Sequence, residues 1–105
     1  KTYSLAELMS RGEKVYAANC VACHQANGKG LPPAFPALEG SKIAKGAKAA
    51  HIAIVLHGKP NTAMAAYGGQ LGDGDIAAVV TYERNAWGNN TGDLVQPAEI
   101  RAARK

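Results

Sequence analysis

An all-α fold is predicted by two features of the sequence. Apolar residues recur at helical spacing in separate segments, and β-branched residues never alternate with polar ones for the length of a strand. A third feature concerns the core: 47% of the residues are hydrophobic but only 6% are aromatic, and Ala dominates the apolar set. Alanines bury little area each, and a chain of 105 residues holds a single domain, residues 1–105, with a radius of gyration of roughly 13 Å. A core of this kind is expected to be completed by something other than side chains.

The first helix is expected from Ser4, because Ser4 and Glu7 have the spacing of a capping box. Leu5, Leu8, Met9, Gly12, Val15 and Tyr16 then share one stripe of a 3.6-residue period. Gly12 on that stripe points to a close approach of the last core helix, near Tyr82, where no side chain would fit. From Gly28 to Gly46 the chain holds Gly28, Gly30, Pro32, Pro33, Pro36 and Gly40, which reads as a loop. A second helix is expected over Ala47 to His57, with Ile52, Val55 and Leu56 inward and Gly58 as its stop. Lys59 to Gly69 is again irregular. The last core helix is expected from Gly72 or Asp73 to about Ala86, through Ile76, Val79, Val80 and Tyr82, with Gly88 beyond it. Asp73 and Asp75 suit its positive end, although Gly72 and Gly74 stand where a stronger helix start is expected. Pro97 opens a short terminal helix carrying Ile100 and Ala103.

Charge narrows the function classes. Twelve Lys and Arg against eight Asp and Glu leave a formal charge of +4 with scattered basic residues, which does not suit nucleic-acid binding. Lys42, Lys45 and Lys48 recur at helical spacing without interleaved aromatics, as a solvated face or a protein-docking rim would. The hydrophobic fraction excludes disorder. No apolar run is long enough to span a bilayer. Lys1-Thr2-Tyr3-Ser4 does not lead into an apolar run, so no signal peptide is expected in this chain. Processing after export, or excision from a larger parent, fits the same start.

The chemistry lies in Cys20-Val21-Ala22-Cys23-His24. The C-x-x-C-H pattern is that of a c-type haem attachment site. Two thiols about one helical turn apart each form a thioether with a haem vinyl group, and the adjacent imidazole meets the iron. The covalent group also supplies the apolar mass that the alanine-rich core lacks. A zinc site of Cys20, Cys23, His51 and His57 would need a gap between the Cys and His pairs about twice that of a zinc finger. A thioredoxin-like pair would need a βαβ context, and a plain disulfide here would close too short a loop to stabilise much.

The candidates for a sixth iron ligand are Met9, Met64, His51 and His57. Met9 falls on the core stripe of the first helix, and the histidines fall on the middle helix. Met64 lies in the irregular Lys59–Met64 segment, where a loop can fold a thioether over the distal face, and is the expected ligand. An open iron position would instead suit a haem sensor or peroxidase. A ligating histidine donates its other ring N–H to a fixed acceptor; the carbonyl of Pro33, or failing that Pro32, is the candidate for His24.

With those residues placed, the chain resembles a class I cytochrome c, in which the first and last helices cross around the haem. Gly30-Leu31-Pro32-Pro33-Ala34-Phe35-Pro36-Ala37-Leu38, Val79-Val80-Thr81-Tyr82-Glu83-Arg84-Asn85-Ala86-Trp87-Gly88-Asn89 and Val95-Gln96-Pro97-Ala98-Glu99-Ile100 are similar to the cytochrome c domain of subunit II of bacterial caa3-type oxidases. That resemblance implies heme c held by Cys20 and Cys23, with iron ligated by His24 and Met64. It implies single-electron transfer from a soluble cytochrome or a quinol-oxidising complex to a copper-A domain. The setting it implies is the periplasm or the outer face of the bacterial inner membrane. A freestanding diffusible periplasmic cytochrome c is the alternative. Lys29, Lys42, Lys45 and Lys59 are expected as a basic rim for acidic partners.

Overall fold

The structure is a computed structural model that describes residues 2–19, 48–58, 69, 71–86, 89 and 91–104. Four helices lie among the described residues, and none of these residues forms a strand. They are α1 (Leu5–Asn19), α2 (Lys48–His57), α3 (Asp73–Asn85) and α4 (Pro97–Ala103). Their bounds match the expected segments closely.

The start of α1 is fixed by a reciprocal cap. Glu7 N donates to Ser4 Oγ at 3.1 Å, while Ser4 N donates to Glu7 Oε1 at 2.9 Å. Two donors that the helix leaves open are thereby satisfied. Leu8, Gly12 and Tyr16 are buried, as their spacing predicts. Leu5 differs from expectation, with 38% of its surface exposed. The contacts between α1 and α3 explain this. They advance in step, from Arg11 against Asp75 to Tyr16 against Tyr82, so Leu5 lies ahead of the start of α3.

Helix α3 is central among the described helices. Ile76 through Thr81 are all buried on it, and α1, α2 and α4 each pack against it. At the crossing with α1, a Cβ on Gly12 would lie 2.6 Å from Tyr82 Cβ and would collide with the carbonyl of Ala78. The expected contact at Tyr82 is therefore present, together with a closer one to the α3 backbone. Of the two glycines at the head of α3, Gly74 has a close neighbour: a Cβ there would sit 2.7 Å from the guanidinium of Arg11, which pairs with Asp75 at an Nε–Oδ1 distance of 2.8 Å. A Cβ on Gly72 would meet nothing within 4 Å, and its carbonyl accepts from Ile76 N at 3.1 Å.

Helix α2 buries Ile52, Val55 and Leu56 as predicted and stops at Gly58, whose φ of 74° favours glycine. The segment after α3 returns along it. Thr81 Oγ1 donates to Ala77 O at 2.8 Å and accepts from Val95 N at 2.9 Å. Asn85 Nδ2 donates to the carbonyls of Thr81 and Asp93, and Arg84 pairs with Asp93. Helix α4 then buries Ile100. Its leading Gln96 grips the other end of the chain: Tyr3 N donates to Gln96 Oε1 at 2.8 Å, and Gln96 Nε2 donates to Tyr3 O at 2.9 Å. Burial raises the Glu99 carboxyl, but the N–H of Gln96 and the ammonium of Lys48 outweigh it and hold the group below its ordinary range.

Candidate functional site

Cys20, Cys23, His24, Pro33 and Met64 lie outside the described residues, as do Lys29, Lys42, Lys45 and Lys59. The described elements flank them in sequence. Helix α1 ends at Asn19, the residue before Cys20, and Tyr16 is the last buried one among its described side chains. Tyr16 is anchored against Tyr82, with ring centroids 5.5 Å apart and planes inclined by 43°, a favourable aromatic separation. The locked contact at Gly12 thus fixes the register of the helix that leads into the first cysteine. On the other side, α2 stops at Gly58, six residues ahead of Met64.

The rival iron or zinc ligands are mostly described. Met9 is half-buried on α1. His57 is exposed at the end of α2, whereas His51 is buried with its Nε2 2.6 Å from Glu83 Oε1. Six residues along a helix rotate a side chain by about 600°, which leaves the two imidazoles on well-separated faces of α2. His51 Nε2 is engaged by Glu83, and the two imidazoles differ in exposure, so the described residues do not bring them together as a ligand pair. Among the described residues no cluster of three or more His, Cys, Asp or Glu could hold a metal. Lys48, the one described member of the Lys42, Lys45 and Lys48 run, bonds Glu99 Oε1 at 2.9 Å and Leu94 O at 3.2 Å. Its role is to tie α2 to α4.

The donor set of the sequence fits a haem: two thiols for covalent attachment, an imidazole beside them and a thioether further on. The described core is built from Leu8, Tyr16, Leu56, three isoleucines and the smaller aliphatic side chains of Val and Ala.

Sequence reasoning did not single out the buried polar group of Glu83, Arg84 and Asn89. A signal for Glu83 was present, since Ile76, Val79, Val80 and position 83 continue one helical stripe. In the same way His51 shares a stripe with Ile52 and Val55. A charged residue on a buried stripe is the informative exception.

Comparison with known proteins agrees with this reading. The family model described as "Cytochrome C oxidase, cbb3-type, subunit III" matches residues 7–82. Cytochrome c-552 of Thermus thermophilus is 38% identical over 99 residues, covering 81% of this chain and 66% of that protein. Cytochrome c6 of Bumilleriopsis filiformis is 31% identical over 74 residues, covering 70% of this chain and 86% of its own length. The cytochrome c subunit of the quinone-dependent alcohol dehydrogenase of Gluconobacter oxydans is 30% identical over 103 residues, 89% of this chain but 22% of that subunit. The chain thus spans about two thirds of the cytochrome c-552 and about a fifth of the dehydrogenase subunit.

Proposed function

This chain belongs to the cytochrome c family, and on that premise we propose that it relays single electrons from a respiratory donor to the copper-A centre of a terminal oxidase. The coarser part of this reading, an electron carrier with covalent haem c, follows from the family itself. The single observation that carries it is Cys20-Val21-Ala22-Cys23-His24, which follows helix α1 directly in the sequence. The copper-A acceptor is supported by the similarity of the proline loop, the Val79–Asn89 segment and the Val95–Ile100 tail to the caa3-type subunit II domain.

Bound haem c supplies a one-electron ferrous–ferric couple. Cys20 and Cys23 would hold it through thioethers, and His24 would ligate the iron. The Pro33 carbonyl accepts the other ring N–H of His24 and fixes the plane of the imidazole. Met64 would supply a soft thioether ligand, which favours the ferrous state and raises the potential. Lys29, Lys42, Lys45 and Lys59 form the rim that steers acidic partners. The domain works in the periplasm or on the outer face of the inner membrane. A freestanding diffusible cytochrome is the second reading, favoured by the similarity to cytochromes c-552 and c6.

Stopped-flow transfer to an isolated copper-A domain tests the acceptor. The expected rate constant is high at low ionic strength and falls tenfold or more with salt, as steered association does. Absence of transfer, alongside fast exchange with soluble partners, would leave the diffusible reading. Met64→Ala separates this reading from a sensor or peroxidase. The variant is expected to keep its attached haem, lose the weak near-infrared iron–sulfur band of the ferric protein and show a lower potential. A wild-type protein without that band, and with tight carbon monoxide binding, would contradict ligation by Met64.

A further inference from the structure

Two tyrosines from different helices are held ring to ring where α1 crosses α3. The centroids of Tyr16 and Tyr82 are 5.5 Å apart and their planes are inclined by 43°, a separation at which ring edges touch. Tyr16 is only 2% exposed, whereas Tyr82 is half-buried and reaches solvent. The backbones that carry the rings are at their closest here. A Cβ on Gly12 would collide with the Ala78 carbonyl and lie 2.6 Å from Tyr82 Cβ, so the two helices hold the rings in register. Burial, and then the negative charge of Glu13, keep the Tyr82 phenol above its ordinary pKa. At neutral pH it is protonated, and its oxidation releases a proton as well as an electron.

We propose that Tyr16 and Tyr82 form an oxidative cross-linking site, where one-electron oxidants in solution join α1 to α3 through a dityrosine bond. The half-buried Tyr82 is the point of entry. A first oxidant takes one electron from it, the phenolic proton goes to water, and a phenoxyl radical remains. Tyr16 can then give an electron and a proton across the ring contact, which restores Tyr82 and moves the radical inward. A second oxidant repeats the first step at Tyr82, and two phenoxyl radicals now face each other. One carbon–carbon bond forms between ring carbons ortho to the two oxygens, and the hydrogens on those carbons leave as protons while both oxygens are reprotonated. The protein loses two electrons and two protons in total, and each oxidant gains one electron.

Radicals held in contact combine without meeting by diffusion, so coupling within one molecule outruns coupling between molecules. The bond closes a loop from position 16 to position 82 and restricts the unfolded chain as a disulfide of that span does. Tyr3 is placed differently. Its ring lies under the Arg11 guanidinium, 5.9 Å from the centroid, and a cation there opposes loss of an electron from the ring. The inference rests on the Tyr16–Tyr82 contact and on no part of the haem site.

The test is brief illumination of the intact haem protein with tris-bipyridine ruthenium and persulfate, which supplies one-electron oxidants in solution. A monomer lighter by two hydrogens is expected, and its protease digest should contain the peptides of residues 16 and 82 joined. The joined fraction should stay constant over an about tenfold dilution of the protein. Tyr16→Phe and Tyr82→Phe keep a packing ring but lose the phenol, and either is expected to abolish the linked monomer. Tyr3→Phe and Tyr67→Phe should leave it unchanged. Absence of a linked monomer in wild type, linkage through other residues, or a linked monomer that survives in Tyr16→Phe or Tyr82→Phe would overturn the proposal. So would linked dimers alone that disappear on dilution.

Discussion

Gly12→Ala is expected to destabilise the domain by about 3 kcal/mol, although the same change on an exposed helix stabilises by about 1 kcal/mol. The sign reverses because the added methyl would occupy the space of the Ala78 carbonyl and lie 2.6 Å from Tyr82 Cβ. Neither is the end of a flexible side chain, so α1 and α3 must move apart. That movement loosens Leu8 and Tyr16, which are 1% and 2% exposed. For a domain of this size the melting temperature should drop by roughly 15 °C. Thermal melts followed by circular dichroism measure this directly, and a variant as stable as wild type would show that the crossing is not tight at this point.

The second large effect is expected from replacing Cys20 and Cys23 together by alanine. Both thioethers are then impossible, and haem can be held only by ligation. A small alanine-rich chain without its central apolar group has too little buried area to fold firmly. The purified double variant should be colourless and should lose its cooperative melting transition. Either single variant should retain one thioether and an intermediate stability. A colourless double variant that still melted cooperatively at the wild-type temperature would show that the side chains alone complete the core.

Much of the scaffold was legible because its signals are local. The Ser4–Glu7 spacing placed the start of α1, Gly58 placed the stop of α2, and Pro97 opened α4. Gly12 was legible too, because a glycine in a buried stripe asks for a close neighbour, and its partner segment could be inferred near Tyr82. Leu5 was misplaced because helical period says which face a residue is on, not where the opposing helix begins. The return of residues 91–104 over α3 was hidden for a related reason. Its contacts, such as Tyr3 with Gln96, join residues far apart in sequence.

The proposed site rests on chemistry read from the sequence, and its residues lie outside the described ones. Cys20, Cys23 and His24 form a dense pattern with the spacing that two vinyl groups and one iron would need. Met64 was reached by comparing local contexts, and Pro33 by the need of a ligating imidazole for an acceptor. The His51–Glu83 pair was not read from the chain, because each residue looked ordinary on its own helix. Only the packing of α2 against α3 brings them to 2.6 Å.

The most direct measurement is the intact mass of the natively expressed protein after extraction with acid and organic solvent, which removes haem that is not covalently attached. The account predicts the polypeptide plus one haem, with both cysteines unavailable to alkylation. Recovery of the bare polypeptide mass, with Cys20 and Cys23 free to react, would contradict it.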